Sequence, residues 1–135
     1  FKAIKCPIEL NSNAIDEFLI IFLIASKASG ISYFKKLEEL NKKESPRLKL
    51  ASMILKKMGV KTVTSKDSIK IFGNPNLKVN KKILINNFYK DHRIFMTSVI
   101  AALCFGGEWT IEDAESHMSS FPSFLRILRE IGCKF

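Results

Sequence analysis

Three short polar clusters in this sequence each stand at the start of a stretch whose pattern predicts a helix. They are Asp16-Glu17, the Lys-Glu-Ser-Pro-Arg run at 43–47 and the Lys-Asp-His-Arg run at 90–93. The free N–H groups and the positive dipole end of a helix N-terminus favour anions. Carboxylates beside Lys and Arg at such positions suit proton transfer on a phosphorylated substrate. If the helices run side by side, the three clusters would meet at one rim of a sheet.

The same residues also have ordinary structural explanations, which the pattern alone leaves open. The acidic pair of the first cluster is a common partner of a helix dipole. Lys43-Glu44 could be a solvated charge run, and His92 could be a surface histidine. His117 has no partner in the sequence and is interpreted as a surface or loop residue. The chain contains no P-loop, no GxGxxG and no GxSxG motif, so nothing indicates a nucleotide fold or a serine hydrolase.

The length of 135 residues fits one domain or a piece of a larger one, and the composition favours a globular chain. Hydrophobic residues make up 47%, and 22 Lys+Arg against 13 Asp+Glu leave a net charge of +9. Only four of the 22 are Arg, so an anionic partner is compatible with the charge but not required by it.

The three Cys lack metal-ligand spacing and are expected to be free thiols in the reducing cytoplasm. The longest apolar run, 18–25, is too short to span a bilayer, and a start at Phe1 predicts a piece of a longer protein.

The elements that would position the clusters alternate between strand and helix. Gly, Pro and capping residues mark their ends. Predicted strands are 1–8, 31–34, 60–64, 68–72, 82–85 and 109–111. Predicted helices are 15–28, 46–58 with Ser45 as N-cap, 91–105 and 121–131.

The second half of the chain repeats the plan of the first. Asp16 corresponds to Asp91, Gly30 to Gly106 and Pro46 to Pro122, at offsets of 75 or 76 residues. This period predicts two units, 1–75 and 76–135. The predicted fold class is therefore α/β (α+β), with helices packed against one face of mixed sheets.

Four sequence blocks carry a family resemblance. They are Asp16-Glu17-Phe18, the ELNKKESPR block at 39–47, the KDHR block at 90–93, and the 110–124 region with its TIEDAE and SFPSF runs. In this order and at compatible spacings, the blocks resemble the carboxy-terminal domain of the enolpyruvyl transferase family. The match is closer to its 5-enolpyruvylshikimate-3-phosphate synthase branch. The resemblance covers essentially the whole chain.

The resemblance implies a two-domain protein with its active site between the domains. Each domain would contain three βαβαββ-type units, of which residues 1–135 supply about two in the carboxy-terminal domain. The implied reaction moves the enolpyruvyl group of phosphoenolpyruvate to the 5-hydroxyl of shikimate 3-phosphate and releases phosphate. That step belongs to the shikimate pathway of aromatic amino acid biosynthesis. No metal or organic cofactor is implied, and the fragment is expected to be inactive without the amino-terminal domain.

The resemblance also assigns roles to individual residues. Asp16 is the expected proton acceptor near the 5-hydroxyl, and Glu44 the expected proton shuttle at the methylene carbon. Lys43 would bind shikimate 3-phosphate. The remaining expected substrate-binding residues are Arg47 and Arg93, which would clamp the phosphoenolpyruvate carboxylate, with His92 and Ser119.

Departures from the family pattern accompany these matches, among them Ser119 at a position where some members have Lys and others a small hydroxyl residue. Pro46 replaces the Asp of the second block, Lys90 replaces the Gly before Asp-His-Arg, and the Arg expected near Asn41 is missing. Alternatives therefore stay open. They are a UDP-N-acetylglucosamine enolpyruvyl transferase, a non-catalytic remnant and a basic nucleic-acid-binding module. The scattered lysines, without basic and aromatic residues interleaved on a strand, argue against a nucleic-acid partner.

Overall fold

The computed structural model describes all residues, 1–135. The strands are β1 (Gly30–Phe34), β2 (Thr62–Thr64), β3 (Ile69–Gly73), β4 (Lys82–Ile85) and β5 (Glu108–Ile111). The helices are α1 (Asn11–Ala14), α2 (Phe18–Ser26), α3 (Arg47–Lys57), α4 (His92–Phe105) and α5 (Phe124–Glu130). Short 3-10 turns lie at Ile8–Leu10, Glu38–Lys42 and Ala114–Ser119.

The first sheet has the strand order β1-β3-β2 and is antiparallel throughout. Thr64 pairs with Ile69 across the hairpin that the sequence predicts. Buried and exposed residues alternate along β1 and β3, so one face of the sheet is covered by helices. The strand predicted at 1–8 is largely wrong, because that segment pairs only at two isolated bridges, Lys2 with Ser29 and Lys5 with Tyr33.

The second sheet consists of the parallel pair β4 and β5, connected by α4. The two bridges of the amino-terminal segment to residues 29 and 33 are also parallel, with α2 between them. Each half of the chain thus contains an extended segment, a helix and a second extended segment that pairs in parallel with the first. The predicted fold class, with helices on mixed sheets, is confirmed; the boundary between residues 75 and 76 stays a prediction.

The core forms between the helices and the inner sheet face. α2 is apolar at nearly every position and packs against β3, α3 and α4. Its Phe18 and Phe22 rings meet Phe34 of β1 edge-on, with centroids 5.9 and 5.1 Å away. Such aromatic contacts add to the burial of large apolar surfaces. They hold α2 and β1 together, and so they fix the turn at 15–17 that precedes α2.

Helix starts differ from the sequence predictions by a few residues. α2 begins at Phe18 rather than residue 15, because 15–17 form a turn in which the Glu17 N–H donates to the Ala14 carbonyl at 3.0 Å. α5 begins at Phe124 rather than 121. Ser45 does not cap α3: Pro46 occupies the N-cap position, and the Ser45 hydroxyl is used elsewhere.

His117 is a further correction. It is 6% exposed, and its ring stacks on Phe95 of α4 with centroids 5.5 Å apart. Its Nδ1 is bonded to the Ala114 carbonyl within the 3-10 turn. The ring is therefore part of the packing between this turn and α4, and it is not a surface group.

Candidate functional site

The site is organised around Asp91, which caps α4. Its Oδ1 accepts hydrogen bonds from the backbone N–H groups of Arg93 at 2.9 Å and Ile94 at 3.4 Å. An Asp at the N-cap satisfies helix donors that have no partner inside the helix. The residue is only 1% exposed, so its second oxygen must find its partners within the protein.

Those partners come from the start of α3. The Arg47 Nε donates to Asp91 Oδ2 at 2.8 Å, and the Arg47 Nη2 to Oδ1 at 3.3 Å. The Ser45 hydroxyl donates to Oδ2 at 2.7 Å. Arg47 is itself 1% exposed. A buried guanidinium facing a buried carboxylate in this two-point geometry joins the N-termini of α3 and α4.

These contacts change the titration of Asp91. Burial by itself would raise the pKa of the carboxyl group. The hydrogen bonds from Arg47 and Ser45, the charge of Arg47 and the backbone hydrogen bond from Arg93 outweigh burial and hold the pKa below its ordinary value. Asp91 therefore stays ionised to a lower pH than an ordinary aspartate, and its charge keeps Arg47 in place.

Asp16 closes the cluster from the turn before α2. Its Oδ1 lies 3.2 Å from Arg47 Nη1 and 3.6 Å from Lys43 Nζ, and its Oδ2 lies 3.7 Å from Arg93 Nη2. The Arg93 Nη1 also donates to the Asp16 carbonyl at 2.8 Å. The Asp16 side chain is 39% exposed. It thus touches three cations and still faces solvent.

Glu44 stands on the other side of Arg47. Its Oε2 accepts from Arg47 Nη2, and its side chain is 55% exposed. Two accessible carboxylates, Asp16 and Glu44, therefore flank one buried guanidinium. Accessible carboxylates can exchange protons with a bound molecule, while the cations can bind its anionic groups. An anionic ligand would have to displace one of the existing ion pairs to reach Arg47.

The structure brings together five of the seven residues that the sequence singles out. Asp16, Lys43, Glu44, Arg47 and Arg93 share the network of ion pairs. His92 is the first residue of α4, beside the network, and its ring makes no hydrogen bond. Ser119 is separate: it lies on the 3-10 turn after β5 and donates to the Ser116 carbonyl at 3.1 Å.

Two members of this network, Asp91 and Ser45, lie in the predicted polar clusters but were not among the predicted site residues. An Asp directly before a predicted helix is an N-cap signal, and its correspondence with Asp16 was visible in the repeat. No local pattern indicates that its free oxygen would face Arg47, which is 44 residues away.

The structure shows the backbone conformation or the contacts of each residue that departs from the family pattern. Lys90 has a φ of +53°, and Tyr89 before it has a φ of +60°. Both lie in the left-handed region that glycine adopts at little cost. The Asn41 amide bridges two elements, because its Oδ1 accepts from the Leu48 N–H at 3.1 Å and its Nδ2 donates to the Lys66 carbonyl at 3.2 Å. Pro46 is accommodated at the N-cap, where no helical N–H is required.

Basic and aromatic side chains meet on the first sheet, but they do so between neighbouring segments rather than along one strand. On β3, Lys70 lies across from Tyr33 and Phe72 lies across from Ile31. The Lys70 Nζ is 4.9 Å from the Tyr33 ring centroid, and the Lys61 Nζ is 4.7 Å from that of Phe72. Because lysines already cover these rings, the rings are poorly placed to stack with bases.

Other kinds of site find little support. No group of three or more His, Cys, Asp or Glu side chains is arranged to hold a metal ion. The three cysteines are free, and burial, with a smaller contribution from the Glu9 charge, raises the pKa of the Cys6 thiol. None of the helices combines the length and apolar character needed to cross a bilayer.

Comparison with known proteins gives one consistent result. Residues 4–128 match the family described as EPSP synthase (3-phosphoshikimate 1-carboxyvinyltransferase). The chain is 36% identical over 136 residues to the 3-phosphoshikimate 1-carboxyvinyltransferase of Zymomonas mobilis, covering 99% of this chain and 30% of the relative. It is 38% identical over 127 residues to the enzyme of the same name from Thermodesulfovibrio yellowstonii, covering 94% and 29%.

Solved structures agree with the sequence relatives. The EPSP synthase of Acinetobacter baumannii superimposes with a TM-score of 0.79 at 27% identity, over 96% of this chain and 30% of that protein. The chain thus spans about a third of the proteins that it matches. Since the family match covers most of the chain and the fold agrees with it, the chain belongs to the EPSP synthase family.

Proposed function

We propose that this chain supplies part of the active site of a 3-phosphoshikimate 1-carboxyvinyltransferase. The parent enzyme would transfer the enolpyruvyl group of phosphoenolpyruvate to the 5-hydroxyl of shikimate 3-phosphate and release phosphate. The observation that carries the proposal is the network around Arg47. In a chain of this family, it combines two accessible carboxylates with three cations at the N-termini of neighbouring helices.

The reaction requires a proton to leave an oxygen and another to reach a carbon. A bond forms between the 5-oxygen and the central carbon of phosphoenolpyruvate, while the methylene carbon is protonated to a methyl group. Loss of phosphate and of one methyl proton then restores the enol double bond. Asp16 is the proposed acceptor of the hydroxyl proton, and Glu44 the proposed group that gives and retakes the carbon proton.

Cations would hold the anionic groups of both substrates. Lys43, beside Asp16, would bind shikimate 3-phosphate near the reacting hydroxyl. Arg47 and Arg93 would bind the phosphoenolpyruvate carboxylate, for which a planar guanidinium offers two parallel donors. His92 and Ser119 are proposed to line the same pocket once the rest of the protein is present.

The proposal includes the rest of the polypeptide. Because the chain spans about 30% of its relatives, an amino-terminal domain of the same protein is the proposed partner, and the fragment alone is expected to be inactive. A cytoplasmic location is proposed from the free thiols.

The test is phosphate release from phosphoenolpyruvate plus shikimate 3-phosphate. The chain would be mixed with the separately produced remainder of its parent. In a second arm, the chain would replace the corresponding third of the Zymomonas mobilis relative. Asp16→Ala and Glu44→Ala should each lower the rate at least 100-fold. Glu130→Gln, on α5 outside the network, is the matched control and should leave it within twofold.

Phosphate release in neither arm, from proteins shown to be folded, would reject the transferase and favour a non-catalytic remnant. Release with UDP-N-acetylglucosamine in place of shikimate 3-phosphate would instead assign the other branch of the enolpyruvyl transferases.

A further inference from the structure

A second concave site lies between α3 and the β2–β3 hairpin. Its cavity measures about 680 Å³. Four of its nine lining residues are lysines, and none is acidic; we call it the lysine groove. It is lined by Asn41, Lys49, Ser52, Met53, Lys56, Lys57, Thr64, Ser65 and Lys66. It shares no residue with the network around Arg47.

The charge in the lysine groove is not neutralised. No carboxylate lies within 4.0 Å of any of its four ammonium groups, whereas Lys43 and both arginines of the network are paired. The nearest acidic residue along the hairpin, Asp67, accepts a hydrogen bond from Ser65 instead. Like charges gathered around a concavity create a positive potential that anions relieve on binding. The positive potential of the lysine groove therefore favours binding of an anion.

Its floor and walls are held in position. The buried Ser52 hydroxyl lies 2.8 Å from that of Thr64 and 3.2 Å from that of Thr62. Asn41 bonds both to α3 at Leu48 and to the hairpin at Lys66. The Lys57 Nζ donates to the Leu84 carbonyl at 2.5 Å. Because the walls are already fixed, binding a ligand costs less conformational entropy of the protein. The hydroxyl groups can donate hydrogen bonds to phosphate oxygens.

The spacing of the lysines defines the ligand class. Lys49, Ser52, Met53 and Lys56 lie on one face of α3, at the three- and four-residue steps of a helix. Lys49 and Lys56 are therefore about 10 Å apart along the helix axis. One phosphate group is too small to contact both ends, whereas two or three linked phosphates reach them. Met53 is the only residue of an apolar type that lines it.

We propose that the lysine groove binds an oligophosphate, that is, a small molecule with two or more linked phosphate groups. The ammonium groups of Lys49, Lys56 and Lys66 would contact the phosphate oxygens, and the hydroxyl floor would orient them. This binding is independent of the transferase proposal. It requires neither enolpyruvyl chemistry nor the amino-terminal domain.

The test is calorimetric titration of the folded chain with inorganic tripolyphosphate, with orthophosphate as comparison. Tripolyphosphate should bind saturably and at least tenfold more tightly than orthophosphate. Lys49→Ala with Lys56→Ala should weaken it at least tenfold and flatten its salt dependence. Lys78→Ala with Lys81→Ala, two exposed lysines outside the lysine groove, should change it less than twofold. All four positions are exposed, so the variants should keep the circular dichroism spectrum and melting temperature.

Two further ligands identify the source of the phosphates. Adenosine triphosphate binding more tightly than tripolyphosphate would indicate a nucleotide, and equal affinity would indicate the phosphates alone; either supports the site. The proposal is overturned by absence of saturable binding, or by equal weakening in the control pair, which would indicate only a response to net charge. It is also overturned if a single-stranded oligonucleotide binds more tightly and displaces tripolyphosphate, since a nucleic acid would then be the ligand.

Discussion

Replacing Asp91 by Asn tests whether the buried ion pair holds the site together. The substitution keeps the size of the side chain, and Asn remains a good N-cap residue. It removes the negative charge opposite the Arg47 guanidinium, which is 1% exposed. Removing one partner of a buried pair costs about 3–5 kcal/mol because the other charge stays buried. Asp16 and Glu44 still touch Arg47 from solvent, so we expect the lower end, about 3 kcal/mol.

The matched comparison is Glu44→Gln. Glu44 also pairs with Arg47, but its side chain is 55% exposed. Exposed ion pairs contribute about 0–1 kcal/mol because water and salt screen them. The two substitutions therefore remove a charge from the same guanidinium with very different expected costs. Ser45→Ala, which deletes one hydrogen bond to the Asp91 carboxylate, should cost about 1–2 kcal/mol.

Urea unfolding followed by circular dichroism measures these differences. With a slope of about 2 kcal/mol per molar urea, a loss of 3 kcal/mol lowers the midpoint by about 1.5 M. The pH dependence gives an independent check. Because the folded pKa of Asp91 is lowered, its contribution to stability is fully present above the unfolded value of about 3.9 and is lost as pH falls through the folded pKa.

The stability gap between wild type and Asp91→Asn should therefore be widest near neutral pH and shrink in strong acid. A cost below about 1 kcal/mol for Asp91→Asn, or an equal cost for Glu44→Gln, would refute the reasoning. So would a gap that does not change with pH, since the lost charge would then not be the cause.

Three further predictions concern the backbone conformation at Lys90, Gly73 and Gly59. Lys90→Gly should stabilise the chain by about 0.5–1 kcal/mol in urea unfolding, because relief of the strain at a φ of +53° exceeds the entropy that glycine adds to the unfolded chain. The control Lys78→Gly, where φ is not positive, should destabilise the chain. A lower stability for Lys90→Gly would contradict this account. Gly73→Ala should lower stability by about 3 kcal/mol, because its Cβ would lie 2.1 Å from the Ala28 carbonyl oxygen. Gly59→Ala meets no atom within 4 Å and should cost only the strain of its +89° φ, about 1–2 kcal/mol in the same urea unfolding experiment. Equal costs at the two glycines would show that the close approach at Gly73 relaxes freely.

Local patterns predicted most of the regular structure. The helix of 91–105, the hairpin of 60–72 and the strand at 82–85 all form near the predicted bounds. These segments have a helical or alternating apolar period and clear terminating residues, and such signals act within a few positions. The segment 1–8 failed for the opposite reason. Its β-like composition does not determine whether a neighbouring strand offers a full ladder, and only two bridges form.

For the candidate site, too, the sequence predicted which residues are involved but not their distant contacts. Residue types and helix starts were sufficient to single out Asp16, Glu44 and Arg47 as one potential constellation. The roles of these residues, and those of His92 and Ser119, stay predictions for the assays above. That Arg47 is buried against Asp91, and that His117 packs on Phe95, could not be read from local spacing. These partners are 44 and 22 residues apart, and the lysine groove likewise joins α3 to a hairpin beyond it.

The physical reason lies in the range of the forces. Helix and strand propensities, caps and apolar periods depend on neighbours along the chain, so the sequence expresses them directly. Burial of a charge, the choice of its partner and the shift of its pKa depend on which helix ends meet in space. Which helix ends lie together follows from the packing of α2, α3 and α4 against the sheets. That packing places the buried carboxylate of Asp91, rather than a solvent-exposed one, against the Arg47 Nε.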